Sequence, residues 1–285
     1  MVISKKPSNT IVFQGLPGAY SHLACQQAYP EMNVLPAQTF EDMFAAVEDG
    51  RAKYAMTPIE NSVAGRVADI HRLMPDSGLF IIGEHFLRVN HHLLAPKGAT
   101  LKSIRVVRSH VHALAQCRAM IQKLKLDAIV HADTAGAAKE LSEHGDISEA
   151  AIASKLAGET YGLKSLRANI EDADHNTTRF VVLSRRPQKQ ARGSGPLVTS
   201  FVFRVRNVPA ALFKSLGGFA TNGVNITKLE SYMVKGSFKA TQFYADVEGH
   251  PGDENLKLAL EELKFFSHEV RILGTYPAAS YRDRS

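Results

Sequence analysis

The stretch HNTTRFVVLS, residues 175–184, places polar side chains directly before an apolar run. Asn176, Thr177, Thr178 and Arg179 supply an amide, two hydroxyls and a guanidinium. A hydroxyl can donate a hydrogen bond to a leaving oxygen, and a guanidinium can donate two parallel bonds to a carboxylate. These residues therefore either hold a turn at the start of a buried strand or contact an anionic ligand.

Three junctions between a predicted strand and a predicted helix also carry small or polar side chains. They are GLPGAYSH (15–22), TPIENSVAG (57–65) and RSHVHA (108–113). Free backbone N–H groups and the positive end of a helix dipole would make each junction a seat for an anion. Together with Arg179, the three junctions predict a ligand with more than one negative group.

Polar residues at these junctions are further candidates for ligand contact: Tyr20, Ser21, Glu60, Asn61, Ser62, Ser109 and Gln116. Ser109 and Gln116 lie seven residues apart, so a helix beginning near Ser109 would place both on one side. Helix capping by Asn61, Ser62 or Ser109 is the alternative interpretation. The Glu60 carboxyl could act as an acid if it were buried.

Metal and thiol chemistry find little support in the sequence. The adjacent pair His91 and His92 and the i, i+2 pair His110 and His112 lack metal-ligand spacing, so we predict no metal. Cys25 and Cys117 are too few for a disulfide framework and are predicted to be reduced thiols on buried helix faces. We likewise predict no cofactor.

Strand-like and helix-like segments alternate before residue 185, which predicts an α/β fold with a mostly parallel sheet. The predicted strands include residues 10–15, 52–60, 103–110 and 127–134. Predicted helices follow them, among them TFEDMFAAVEDG with Thr39 as its N-cap and SVAGRVADIHRLM after the second strand. Ligands of such sheets collect where strands lead into helices, which is where the polar junctions lie.

Residues 185–196, RRPQKQARGSGP, form the predicted linker between two domains, 1–184 and 197–285. Of the net charge of +6, this segment supplies four, because residues 1–184 hold 19 basic and 19 acidic residues. A nucleic-acid surface needs its basic residues on a folded face, so we predict no nucleic-acid partner. No apolar run reaches the ~20 residues needed to span a bilayer, and no signal peptide is evident, so we predict no membrane association and a cytoplasmic location.

The second domain has the pattern βαββαβ, which is the ferredoxin-like arrangement. Strands are predicted at 197–207, 226–234, 239–249 and 268–276, with a turn at KGS (235–237). Helices are predicted over 208–223 and 253–267.

In this order, the motifs GLPGAYSHLA, TPIENSVAG, SHVHALAQC, NTTRF and NGVNITKLESY resemble those of the prephenate dehydratase family over essentially the whole chain. The resemblance implies a two-lobed, periplasmic-binding-protein-like catalytic domain followed by an ACT regulatory domain. It also implies the single-function form, because the catalytic pattern begins near residue 10. Alternatives are an arogenate dehydratase and a non-catalytic small-anion sensor with the same cleft.

The resemblance assigns roles to the polar candidates. Catalysis is expected from Thr178, as a donor to the leaving hydroxyl, and from Glu60. Substrate contacts are expected from Arg179, Asn61, Ser62, Ser109, Gln116, Ser21 and Thr177.

Phenylalanine is the expected effector and prephenate the expected substrate. Effector contacts are expected from Asn222, Asn225, Glu230, Ala211 and Leu212, in a homodimer or homotetramer formed through the ACT domain. The family's Gly-Ala-Leu is here Ala210–Leu212, and its Glu-Ser-Arg-Pro is here Glu230–Met233. These departures put the strength of any feedback in question, and a purely dimerising domain is the alternative.

Overall fold

The computed structural model describes residues 9–206, 208–233 and 240–284, and the predicted turn at 235–237 lies outside them. In chain order the elements are β1 Thr10–Gln14, α1 Tyr20–Ala28, β2 Asn33–Ala37, α2 Phe40–Glu48, β3 Tyr54–Asn61, β4 Gly65–Arg66, α3 Ala68–Leu73, β5 Phe80–Arg88, β6 His92–Ala95, β7 Val106–Ser109, α4 Val111–Gln116, α5 Arg118–Leu124, β8 Asp127–Val130, α6 Thr134–His144, β9 Glu149–Ala153, α7 Lys155–Tyr161, β10 Lys164–Ala168, β11 Thr177–Ser184, β12 Leu197–Val205, α8 Ala211–Thr221, β13 Ile226–Met233, β14 Ala240–Glu248, α9 Glu254–Phe266 and β15 Ser267–Pro277.

The first sheet has the strand order β2-β1-β3-β11-β5, and β4 pairs with β3 as a short hairpin. β1 is parallel to both β2 and β3. Its central residues Ile11, Val12 and Phe13 are fully buried, as expected for a strand covered on both faces. Thr39 caps α2 by accepting from the Asp42 N–H, which confirms the predicted helix start.

The second sheet has the order β10-β6-β9-β7-β8 and is mixed rather than mostly parallel. β7 is parallel to β8 and β9, whereas β6 is antiparallel to β9 and β10. The reason is that β6 follows directly from β5 of the first sheet, without the helical crossover that fixes a parallel strand. β9, α7 and β10 were not predicted, because residues 145–168 carry weak periodicity.

The C-terminal part confirms the predicted βαββαβ order, as a four-stranded sheet β13-β14-β12-β15 with antiparallel neighbours. Helices α8 and α9 cover one face, where Phe201, Phe203, Phe219 and Leu260 form a core. The other face carries buried polar groups, among them Asp246, which accepts hydrogen bonds from the hydroxyls of Ser200 and Tyr244.

By contacts the described chain divides into two compact units. One unit ends at Val67 and resumes over His85–Phe180. The other comprises Ala68–Glu84 and the chain from Val181 onward. The first and second sheets both have strands in the first unit. Strands β5 and β11 each include residues of both units. The predicted domain limits 1–184, 185–196 and 197–285 remain a prediction, but residues 68–84 pack with the C-terminal residues.

Within the second unit, residues 68–84 contact the polar face of the C-terminal sheet. The His71 ring lies 5.1 Å from the ring of Tyr244, and the Arg271 guanidinium donates to the Pro75 carbonyl. Arg282, after β15, donates from Nε to Glu84 Oε1 at 2.7 Å and from Nη2 to Oε2 at 2.9 Å. Hydrogen bonds and a charge pair therefore hold this segment.

Candidate active site

The stretch TPIEN does not lead directly into a helix, which corrects the prediction for residues 62–74. β3 ends at Asn61, and the chain turns back as β4, with Asn61 opposite Gly65. The Asn61 side-chain oxygen accepts from the backbone N–H of Val63 at 2.9 Å and of Ala64 at 2.8 Å, and Gly65 adopts a φ of 82°. This local capping closes a hairpin, so the helical pattern forms only the short α3.

The same Asn61 amide reaches the stretch NTTRF. Its Nδ2 donates to Asn176 Oδ1 at 2.8 Å and to Thr178 Oγ1 at 2.9 Å. Thr178 is half-buried, and its hydroxyl donates to no other residue that the structure describes. Because the Thr178 oxygen already accepts a bond, its proton points away from Asn61 and is available to a ligand.

A line of buried polar side chains continues from Asn176 across the first unit. Asn176 Nδ2 donates to Gln116 Oε1 at 2.9 Å, and His91 Nε2 lies 2.9 Å from the same oxygen. The Tyr20 hydroxyl lies 2.7 Å from His91 Nδ1 and 3.0 Å from the Asn90 carbonyl. We call the residues Tyr20, Asn61, His91, Gln116, Asn176 and Thr178 the polar cluster.

Burial sets the charge states in the polar cluster. It lowers the pKa of His91, opposed by the hydrogen bond with Gln116 and the nearby Glu171 carboxylate. Burial also raises the pKa of Tyr20 well above its usual value, with smaller contributions from Cys117 and Glu171. His91 and Tyr20 are thus neutral near pH 7. Glu171 is held by the Asn90 side chain at 3.0 Å and the His91 N–H at 2.8 Å.

Glu60 and Arg179, predicted for catalysis and for substrate binding, form an ion pair with one another. Arg179 Nη1 lies 2.9 Å from Glu60 Oε1, and the two side chains are 4% and 30% exposed. Because opposite charges at this distance attract, the two side chains orient one another. A direct role of either residue in catalysis or substrate binding remains a prediction.

The two predicted serine contacts, Ser62 and Ser109, hydrogen-bond to backbone groups, and a ligand role for them remains a prediction. The Ser62 hydroxyl donates to the His175 carbonyl at 2.6 Å and accepts from the Thr177 N–H at 2.9 Å, which fixes the hairpin to the start of β11. Ser109 is the last residue of β7, fully buried, and donates to the Ile152 carbonyl at 2.6 Å. The helix that follows begins at Val111, so the two-turn spacing from Ser109 to Gln116 does not describe it.

The remaining predicted contacts, Ser21 and Thr177, are buried next to the polar cluster. The Ser21 hydroxyl is bonded to none of the cluster side chains as described. The Thr177 backbone pairs with Ser62 through its N–H and its carbonyl. A ligand role for these two residues remains a prediction.

The first junction, GLPGAYSH, packs against α7 instead of leaving its N–H groups free. The Gly18 N–H donates to His22 Nδ1 at 3.0 Å, and its carbonyl accepts from the Ser154 hydroxyl at 2.6 Å. Gly18 has a φ of 90°, and a Cβ there would lie 2.7 Å from the Ala157 Cα. At the other two junctions, Asn61 and His110 accept from backbone N–H groups, so each of the three predicted anion sites has N–H groups that are already hydrogen-bonded.

Sequence reasoning missed three members of this site: Asn176 as a relay, His91 and Glu171. Asn176 adjoins the predicted motif, and its position before two threonines was the available signal. His91 meets Tyr20 and Gln116 only through the tertiary fold, at separations of 71 and 25 residues. Spacing along the chain cannot reveal such contacts.

No cluster of three or more His, Cys, Asp or Glu side chains that could hold a metal occurs in the described ranges. Cys25 and Cys117 are buried free thiols, and burial raises the pKa of each. Neither thiol is poised as a nucleophile. No helix within the described part of the chain combines the length and apolarity that membrane spanning requires.

The predicted effector residues are spread over the C-terminal unit. Ala211 and Leu212 begin α8, whereas Asn222 and Asn225 follow its other end, about 16 Å away for 11 residues. Asn222 caps that end by donating to the Gly218 carbonyl at 2.7 Å and to Glu262 at 3.2 Å. Glu230 lies on the opposite sheet face, 3.0 Å from Lys228 Nζ. One chain does not bring the five together.

Comparison with known proteins gives concordant matches. A family model for prephenate dehydratase matches residues 11–188. The chain is 56% identical over 272 residues to the bifunctional N-acyl-homoserine lactone acylase/prephenate dehydratase of Komagataeibacter europaeus, covering 95% of this chain and 97% of that protein. It is 39% identical over 281 residues to arogenate dehydratase/prephenate dehydratase 1, chloroplastic, of Arabidopsis thaliana, covering 94% and 71%.

Among solved structures, the prephenate dehydratase of Arthrobacter aurescens in complex with L-Phe aligns with a TM-score of 0.86 and 32% identity, over 95% of this chain and 90% of that chain. This likeness confirms the predicted fold class, a two-lobed periplasmic-binding-protein-like α/β domain followed by a ferredoxin-like ACT domain.

Proposed function

Because the chain belongs to the prephenate dehydratase family and is thus a hydro-lyase, we propose that it converts prephenate into phenylpyruvate. The ring carboxylate leaves as CO2, its bonding electrons complete the aromatic ring, and the ring C–O bond breaks. One proton joins the departing hydroxide to give water. Aromatisation supplies the driving force, so the protein has to hold the substrate and assist the leaving oxygen.

Thr178 is the proposed donor to that oxygen. Its own oxygen accepts from Asn61 Nδ2 at 2.9 Å, and a hydroxyl that accepts a hydrogen bond becomes a stronger donor. A donor aimed at charge that develops in the transition state contributes a factor of about 10²–10³ to turnover. The free threonine proton is the observation that carries the proposal.

The same geometry favours prephenate over arogenate. Gln116 Oε1 accepts from two neighbours, and its Nε2 donates to no described residue. Gln116 Nε2 and the Thr178 hydroxyl therefore both present protons, which suit a keto oxygen or a carboxylate. An ammonium group in place of the keto group would need acceptors, and Gln116 Oε1 already accepts from Asn176 and His91.

The first test measures phenylpyruvate formed from prephenate by the wild type and by Thr178→Val. We expect turnover to fall at least 100-fold in the variant, with unchanged far-UV circular dichroism. Thr160→Val is the matched control, since Thr160 sits on the exposed side of α7. Full activity of folded T178V would refute the role of Thr178.

Two further substrates distinguish the alternatives. Faster turnover of arogenate than of prephenate would overturn the substrate assignment while leaving the reaction type intact. Binding of either compound without any turnover by the wild type would favour the small-anion sensor.

We also propose that phenylalanine regulates this protein through a homo-oligomer of the ACT domain. The Arthrobacter aurescens relative, whose structure is a complex with L-Phe, supports phenylalanine as the ligand. Val208, Phe213 and Met233 are exposed at the end of the domain where β12 and β13 both finish. A second copy would cover this apolar surface and bring distant effector residues together. Phe213→Asp should lower the oligomer mass by light scattering and weaken phenylalanine binding by calorimetry, whereas a monomeric wild type that binds phenylalanine would refute this arrangement.

A second candidate activity, hydrolysis of an N-acyl-homoserine lactone amide, is favoured by the 56% identical relative. His92 Nδ1 lies 2.9 Å from Ser165 Oγ, and burial lowers the pKa of His92, so a neutral imidazole contacts a hydroxyl that also lies 3.2 Å from the Arg167 carbonyl. Such a pair can activate a nucleophile when the hydroxyl donates to the imidazole instead of to that carbonyl. Acylase activity that Ser165→Ala removes, with prephenate turnover retained, would support this assignment; activity unaffected by the change would exclude Ser165.

A further inference from the structure

The hydrogen-bond directions in the polar cluster are determined at one end by backbone N–H groups. Asn61 Oδ1 faces the N–H of Val63 and Ala64, which can only donate. The Asn61 amide can therefore adopt one orientation, with both Nδ2 protons facing Asn176 Oδ1 and Thr178 Oγ1. The Asn176 orientation follows, with its Nδ2 facing Gln116 Oε1.

The same logic assigns the tautomer of His91. Gln116 Oε1 can only accept, so His91 Nε2 must carry a proton to bond with it at 2.9 Å. Burial lowers the pKa of this imidazole, so Nδ1 carries none near pH 7 and accepts from the Tyr20 hydroxyl at 2.7 Å. His91 is 2% exposed, and Asn176 is fully buried, so water does not replace these partners.

We propose that His91 is a positioning residue for the reaction: its Nε2–H holds Gln116 Oε1, so that the Gln116 NH2 group faces the substrate. The opposite tautomer would place two lone pairs face to face at 2.9 Å. Relief would require Gln116 and then Asn176 to rotate, until Asn176 Nδ2 met Asn61 Nδ2. The His91 tautomer and the orientations of the Asn176 and Gln116 amides therefore depend on one another. This inference rests on the proposed function only for the identity of the substrate.

The direct test is the ¹⁵N spectrum of the histidine side chains in the full-length protein at pH 7.5, with the His91 signal assigned by its loss in His91→Gln. We expect a neutral ring protonated at Nε2. A neutral ring protonated at Nδ1, or an imidazolium, would overturn the proposal whether or not the protein turns over prephenate.

Asn61→Asp probes the coupling from the far end. The carboxylate would still accept from Val63 and Ala64, but would present an acceptor to Asn176 in place of a donor. Asn176 and Gln116 would then rotate, and His91 would become protonated at Nδ1, with Tyr20 donating to the Asn90 carbonyl. Asn33→Asp, at a site bonded to Asn9, is the control for the added charge. An unchanged His91 tautomer in N61D would refute the coupling.

Kinetics give an independent readout. His91→Leu removes the donor to Gln116 and should lower kcat/KM for prephenate on the order of tenfold or more. His91→Gln can supply an N–H in the same direction and should restore activity to within about threefold of wild type. Equal activities of H91L and wild type would refute the positioning role while leaving the dehydratase assignment intact. Equal loss of activity in H91L and H91Q would overturn the role of the Nε2–H donor, because it would show that the imidazole ring itself is required.

Discussion

Removal of the Arg282 guanidinium should strongly destabilise the unit that contains the C-terminal sheet. The Glu84 side chain is fully buried, and the Arg282 side chain, 21% exposed, donates to both of its carboxylate oxygens. The buried Asp246 carboxylate lies 3.9 Å from the same guanidinium. Arg282→Met would therefore leave two buried carboxylates without this cation. Breaking one partner of a buried pair costs about 3–5 kcal/mol, and we expect that loss in the free energy of unfolding.

The assay is urea unfolding followed by tyrosine fluorescence and far-UV circular dichroism, since the chain has no tryptophan and eight tyrosines. Tyr244 and Tyr276 are buried beside Asp246 or its partner Ser200, so they report on this unit. The fluorescence change that reports unfolding should occur at a lower urea concentration in R282M than in the wild type.

Two comparisons isolate the ion pair from lost packing. Lys139→Ala breaks an exposed pair with Glu143, whose side chains are 49% and 62% exposed, and should cost less than about 0.5 kcal/mol. The double variant Glu84→Leu with Arg282→Met removes both charges and should recover most of the stability lost by R282M. If R282M lost no more than K139A, the assignment of a costly buried charge to Glu84 would be wrong.

Three further changes test local features. Ala210 caps α8 with a φ of 60°, where alanine is strained, so Ala210→Gly should raise the free energy of unfolding by about 1 kcal/mol in urea titrations; a loss would refute the strain. Gly18→Ala should lower the free energy of unfolding by about 2–4 kcal/mol, because the new Cβ would overlap Ala157. Gly78→Ala, at a φ of 70° with open space around it, should lower it by only about 1 kcal/mol. Equal losses in the two variants would refute the overlap with Ala157. Because burial lowers the pKa of His91, the unfolded chain takes up a proton near pH 6.5, before the folded chain does. The His91 contribution to stability should therefore be complete above pH 6.5 and be lost as the pH falls through the folded pKa. Urea midpoints measured from pH 7.5 to 5 should fall less steeply in His91→Gln than in the wild type.

The sequence predicted the C-terminal fold well because each of its elements has a local signal. Pro209 and an apolar helix face precede Gly223, and the alternating strands surround them. In the candidate site, the motif pattern selected Asn61 and Thr178, and the structure brings these two side chains into contact. It did not predict the hairpin after Asn61, because SVAGRVADIHRLM has a helical composition and only the side-chain capping by Asn61 overrides it.

Gln116 was predicted as a site residue from a spacing that the structure does not have, yet it does contact Asn176 and His91 of the polar cluster. β7 ends at Ser109 and α4 begins two residues later, so Gln116 reaches the cluster through the end of α4 and not through a shared helix face. Arg179 and Glu60 were each assigned alone, since a sequence does not show that two charges 119 residues apart neutralise one another. Long-range pairing is therefore what the sequence could not show.

The assignment of residues 68–84 to the same compact unit as the C-terminal chain limits how this gene can be recombined. A chimaera that joined residues 1–184 to a foreign C-terminal domain would keep Glu84, Pro75 and Ile81 but replace their partners. Arg282 would be lost, and a residue other than Gly274 would overlap the Ile81 carbonyl. The C-terminal part therefore cannot be exchanged alone: a stable hybrid must take residues 68–84 and the C-terminal residues from the same parent.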